Sequence, residues 1–136
     1  MRLLLYFCWL AALLPAACKK TTLHGTKGTT GDWKLIQYTQ GFSGRVIGIP
    51  ADSLVVLSLL GKVYQRTSNG VVNETGTYTI DNENTIFGAT MPTLHLNPTP
   101  SPNYSSPGLV IELVHDTLNL SMNAYDGNSY VYVRAD

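Results

Sequence analysis

Three histidines, nine acidic side chains and a scatter of serines and threonines are the residues of this chain that could do chemistry. Acid–base or nucleophilic catalysis needs a base within hydrogen-bond reach of the group it deprotonates. His24, His95 and His115 are well separated, and the one adjacent pair, His115-Asp116, would point to opposite faces of a strand. No second ligand stands at metal spacing from any histidine, and no serine lies in a Gly-x-Ser-x-Gly step. Glu74, Glu83 and Glu112 could meet in space, but nothing in the sequence brings them together, and they read as solvated strand and turn carboxylates. The residues give no catalytic constellation, no metal set and no cofactor site, so a non-enzymatic role is expected.

Cysteine is the other reactive type, and there are two. Cys8 lies in the apolar run from Leu3 to Leu14 that follows Arg2. That run is too short to span a bilayer and reads as the core of a signal peptide. Its removal leaves Cys18 without a disulfide partner. The stretch LLPAACKK around Cys18 resembles the lipobox of bacterial lipoproteins, although Pro15 stands where the pattern has an aliphatic residue and Leu14 lies one step earlier. The resemblance implies a lipoprotein signal peptide over 1–17, cleavage between Ala17 and Cys18, and acylation of Cys18 by chains such as palmitate. The alternative is an ordinary secretory signal with an unmodified cysteine beside it. Two or more acyl chains on one residue hold a protein durably at a membrane. Lys19 and Lys20 follow without the acidic pair that marks surface export in lipoproteins of the Bacteroidota type. On that resemblance the domain belongs to the cell envelope, at the outer membrane and facing the periplasm.

Formal charges cancel over the 136 residues and only 13% are charged, which leaves no electrostatic footprint for nucleic acid. The segment KKTTLHGTKGTTG is polar and rich in threonine and glycine, so residues 18–31 read as a flexible lipidated tether. The remaining span, 32–136, shows no sustained helical periodicity and is dense in β-branched and aromatic residues between Gly and Asn punctuation. It is expected to be all-β.

Strands are predicted at DWKLIQYTQ, SLVVLSLL, KVYQRT, VVNETGTYTID, NTIFGAT, GLVIELVH, TLNLSMN and SYVYVRA, with a short piece at TLHL. Asn69-Gly70 marks a hairpin, and Asp81, Asn82 and Asn84 mark the next turn. About eight short strands joined mostly by tight turns favour an up-and-down antiparallel barrel over a Greek-key sandwich. Two connections are long. GFSGRVIGIPADS carries Phe42, Val46 and Ile47 and reads as a lid. NPTPSPNYSSPG, residues 97–108, is stiffened by prolines into a flap.

In the first strand Trp33, Leu35, Gln37 and Thr39 are expected on one face; in the last, Tyr130, Tyr132 and Arg134 share a face. In a closed barrel these two strands are neighbours, so Arg134 would stack on Trp33. Gly31-Asp32-Trp33 at the opening of the first strand, with an arginine closing the last, resembles the calycin signature of lipocalins. Together with Cys18, GTYTID, DTLNLS and YVYVR, the set is similar to the small lipocalin-like lipoproteins of Bacteroidota. The resemblance implies that Trp33 and Arg134 close one end of the barrel and that a small, mostly apolar ligand binds at the other. Gln37, Thr39, Tyr64, Tyr78, Tyr130 and Tyr132 are the candidate ligand-facing residues. The competing expectation is a barrel filled by its own side chains, serving a structural or interaction role in the envelope. Asp52-Ser53-Leu54 and Asp116-Thr117-Leu118 also resemble Bacteroidota O-glycosylation tripeptides at Ser53 and Thr117, and both equally fit ordinary turn chemistry.

Overall fold

The computed structural model describes residues 28–100 and 107–136. The expected signal peptide, Cys18, His24, most of the expected tether and the centre of the proline-rich connection lie outside the described residues. Within them the chain forms nine strands and no helix. These are β1 (Gly31–Thr39), β2 (Val46–Gly48), β3 (Val55–Leu60), β4 (Val63–Ser68), β5 (Val71–Asn84), β6 (Thr90–Pro98), β7 (Leu109–Val114), β8 (Thr117–Met122) and β9 (Ser129–Arg134). From β3 onward each strand pairs with the next, β1 pairs with β3, and β9 pairs back with β1. Every pairing is antiparallel. The fold is therefore a closed, eight-stranded up-and-down β-barrel, with β2 added outside the cycle.

Alternation explains the core. Leu57 and Leu59 of β3, Leu118 and Leu120 of β8, and Tyr132 of β9 point inward and are buried. Tight turns set the registers: Asn69 and Gly70 both take positive φ, 51° and 79°, as a two-residue hairpin loop requires. His115 and Asp116 form the corresponding turn between β7 and β8, so they do not lie in a strand as their neighbours do.

Three expectations are corrected. NTIFGAT is not a separate strand: Asp81, Asn82 and Asn84 continue β5, and the turn falls at residues 85–89. There Thr85 N–H and Oγ1 both donate to Ala89 O, at 3.0 and 2.9 Å, and Gly88 supplies the positive φ. The polar side chains at 81–84 lie along a strand because Asn84 Oδ1 accepts from Thr90 Oγ1 across the hairpin, which suits a strand end as well as a turn. TLHL consequently belongs to the full-length β6. Second, the apolar connection 41–53 contains β2, which pairs Val46, Ile47 and Gly48 with Thr39, Tyr38 and Gln37, so it is held against β1. Third, the tether does not extend to Gly31, because Thr29 is buried and strand β1 begins at Gly31.

The two ends of the barrel differ. Both described chain ends and the β3–β4 and β7–β8 turns gather at the end marked by Trp33. The connections 40–54, 69–70 and 123–128, and the described residues 99–100 and 107–108, gather at the other. At that second end β1 leaves β3, with which it pairs only over Gly31 to Lys34. β6 pairs with β7 only through Thr93 and Leu94, opposite Val110 and Leu109, so the rest of β7 down to the β7–β8 turn is not laddered to β6. The β5–β6 tip instead reaches the β8–β9 connection, where Ile86 N–H donates to Asn123 Oδ1 at 2.9 Å.

Candidate functional site: the open mouth and the sealed floor

The floor is built around Trp33, which is fully buried and donates from Nε1 to Thr29 O at 2.7 Å. Arg134, opposite Trp33 across the β1–β9 seam, places Cζ 4.4 Å from the indole centroid. Its Nη2 donates to Gly28 O at 2.8 Å and its Nη1 to Thr30 O at 3.2 Å, while Asp116 Oδ1 lies 3.6 Å from Nε. The guanidinium thus ties the entering chain to the end of the last strand. Gly31 makes the approach possible: its φ is +133°, and a Cβ there would stand 2.8 Å from Arg134 Nη1. The Gly-x-Trp spacing therefore has a steric cause. Replacing Arg134 by Ala removes a partly exposed cation–π contact and two backbone tethers, and is expected to cost about 1–2 kcal/mol. The emission of Trp33, measured on protein lacking residues 1–17, should shift to the red; unchanged emission and melting would contradict the contact.

At the opposite end the cavity measures about 290 Å³. Leu35, Val55, Leu96, Leu109 and Met122 supply apolar wall, and Arg66, Glu74, Tyr130 and Tyr132 bring polar atoms to it. Arg66 and Glu74 are cross-strand partners, with Nη1 3.0 Å from Oε2. The buried Tyr64 hydroxyl donates to Glu74 Oε1 at 2.5 Å, so both carboxylate oxygens are engaged. Burial, then the Glu74 bond, pushes the Tyr64 phenol well above its usual range. Around the rim, Phe42, Val46, Leu54, Val71 and Tyr125 are exposed apolar side chains. The 41–53 connection is clasped there to the β8–β9 connection, Gly41 N–H donating to Asn128 Oδ1 at 3.0 Å.

Of the six candidate ligand-facing residues, Tyr130 and Tyr132 line the cavity. Tyr64 sits beneath it, holding Glu74, and Tyr78 belongs to the packed core. Gln37 and Thr39 are placed elsewhere. Ile36 is an extra residue on β1 relative to β9, so Leu35 opposes Tyr132 but Gln37 opposes Val131 and Thr39 opposes Ser129. That bulge inverts the alternation and turns Tyr38, opposite Tyr130, to the side on which Gln37 was expected.

Arg66 was not singled out by the sequence, and Glu74 was named only as one of three carboxylates that the sequence does not bring together. Neither Glu74 nor Glu83 is simply a solvated carboxylate: Glu74 is held by Arg66 and Tyr64, and Glu83 pairs with His95 on another part of the barrel, its Oε1 2.9 Å from Nε2. The available signal was the Asn69-Gly70 hairpin, which brings the two strand segments together, but simple counting pairs Arg66 with Asn73. A bulge between Arg66 and Thr67 in the β4–β5 register moves Glu74 into that place.

Tyr132 is 3% exposed, and burial pushes its phenol up to about 12. A raised phenol pKa stabilises the fold fully below the unfolded value near 10, and this contribution is lost as pH climbs through about 12. The total loss is roughly 2–3 kcal/mol. The melting temperature should fall in that window, and Tyr132→Phe should remove part of the fall, with Tyr64 responsible for more. Identical alkaline profiles for the two proteins would contradict this assignment.

Among the described residues no group of three His, Cys, Asp or Glu side chains could hold a metal ion. The site and fold together define a closed antiparallel barrel with one sealed end and one amphiphilic mouth. Comparison with protein-family models, with curated proteins and with solved structures finds no match in any of the three.

Proposed function

We propose that this protein is a lipocalin-like, membrane-anchored lipoprotein that binds a small, mostly apolar ligand in the mouth of its barrel. The observation that carries the reading is the cavity of about 290 Å³ between Leu35, Leu96, Leu109 and Met122, opposite the floor closed by Trp33. Its size falls at the lower end of small-molecule sites, and its apolar walls with a few convergent polar groups have the usual composition of such sites. The apolar rim residues Phe42 and Tyr125 offer an entry surface for the same kind of molecule. The role is non-catalytic. The lipobox-like LLPAACKK supports an anchor at Cys18, on the periplasmic face of the outer membrane.

Native mass spectrometry of the protein purified from its own host tests both parts. A reproducible small-molecule adduct that is lost on filling the cavity by Leu96→Trp is the expected result. An intact mass with acyl chains on Cys18 supports the anchor. Absence of any adduct, with a protein partner retained instead, would favour a structural or interaction role for the barrel.

A further inference from the structure

Resting on the ligand-binding reading, we infer that the mouth selects an uncharged amphiphile: a short apolar chain ending in a head group that both donates and accepts hydrogen bonds, such as a primary amide. The charged groups lining the cavity are one guanidinium and one carboxylate, and they neutralise each other. Arg66 Nη1 lies 3.0 Å from Glu74 Oε2, with side chains 32% and 34% exposed. Glu74 has no idle oxygen, since Tyr64 holds Oε1. A charged head entering this space would give up water and meet a pair that already cancels, so its desolvation would go largely uncompensated. A carboxylate drawn to Arg66 would also lie beside Glu74. An ammonium drawn to Glu74 would lie beside Arg66.

A neutral head avoids both conflicts and leaves the pair intact. Arg66 carries five N–H donors, and its bond to Glu74 occupies Nη1. Tyr130 and Tyr132 line the same cavity, and a phenol hydroxyl can donate or accept. A head with one acceptor and one donor is complementary to such a set. The apolar walls, from Leu35 to Met122, take the chain.

The test compares three ligands with the same six-carbon chain, hexanamide, hexanoate and hexylamine, by calorimetric titration of the full chain in lipid nanodiscs, with empty nanodiscs subtracted. The unsubstituted protein should bind hexanamide at least about tenfold more tightly than either charged analogue. Glu74→Gln keeps an acceptor for Tyr64 but uncovers the Arg66 charge, and should move the preference to hexanoate. Arg66→Gln should move it to hexylamine, and the double substitution should restore the amide. Near-ultraviolet circular dichroism of Trp33 checks that each variant keeps its fold, and the three-ligand comparison on the unsubstituted protein stands whether or not a variant folds. Preference of the unsubstituted protein for hexanoate or hexylamine would overturn the inference while leaving apolar-ligand binding in place. Failure of all three ligands to bind would overturn both.

Discussion

Trp33→Ala should be the most damaging single substitution at the floor, costing about 3–5 kcal/mol in lost burial and the cavity left behind. Trp33 is fully buried, so nothing of its removal is absorbed by solvent. The loss also strands Thr29 O, which now accepts from Nε1, and leaves Arg134 without the ring it covers. Those two terms add about 1–2 kcal/mol. For a domain of this size the melting temperature should fall by roughly 15 °C or more. Trp33→Phe separates the contributions, because it keeps an aromatic ring in the core while removing the donor and part of the buried volume; it should cost about 1–3 kcal/mol. The mouth lies at the other end of the barrel, so ligand affinity of the folded fraction should be unchanged in Trp33→Phe. Thermal and urea melts monitored by circular dichroism give the stabilities. A Trp33→Ala protein that melts like the parent would remove the floor from this account.

The floor was legible in the sequence because its parts are local or terminal. Gly31 and Trp33 are two residues apart, and Arg134 is fixed opposite them once the first and last strands of a meander close. The closed order of eight strands followed from turn chemistry of the same short range, such as Asn69-Gly70, while β2 was missed and the β5–β6 turn was placed too early. The mouth was legible only in part, and the reason lies in two residues. Ile36 and Asn73 are each one too many for a regular ladder, and each changes which side chains point inward beyond it. Without the first, Gln37 and Thr39 would follow Leu35 into the barrel; with it, they do not. Without the second, Arg66 would face Asn73 and no ion pair would form across the cavity. Neither Ile nor Asn in a strand announces a bulge, since both fit regular pairing locally, and the choice is made by closure of the whole cycle of strands.

The two bulges also lie between the ends of the barrel, which have opposite character. Below them, alternation runs undisturbed from Trp33 and Leu59 to Leu118, and the interior is filled. Above them, β1 turns from β3 to β2, so the wall spreads there and polar groups enter. Cavity and ion pair share the same stretch of wall, so changing it there should affect both.

Gly76→Ala is the substitution that tests this coupling, and its expected cost is about 2–3 kcal/mol, at the upper end of what overpacking does. A Cβ at Gly76 would stand 2.1 Å from Asn97 O and 2.8 Å from Pro98 Cα, both backbone atoms of β6. A flexible side chain could swing aside, but a paired strand can yield only by moving. Pro98 lines the cavity and has no N–H to hold β6 to its neighbour, so this is where the hairpin should open. Gly76 also faces Tyr64 on β4, whose hydroxyl holds Glu74. Displacement of β5 there should loosen the Arg66–Glu74 pair and lower ligand affinity beyond what the loss of stability alone would produce. Gly48→Ala is the matched control, because a Cβ at Gly48 meets nothing within 4 Å. That change should stay within about 0.5 kcal/mol, as surface substitutions usually do. Urea denaturation and hexanamide titration of the two variants side by side decide the matter. If Gly76→Ala matches Gly48→Ala in both, the contact between β5 and β6 does not set the shape of the mouth.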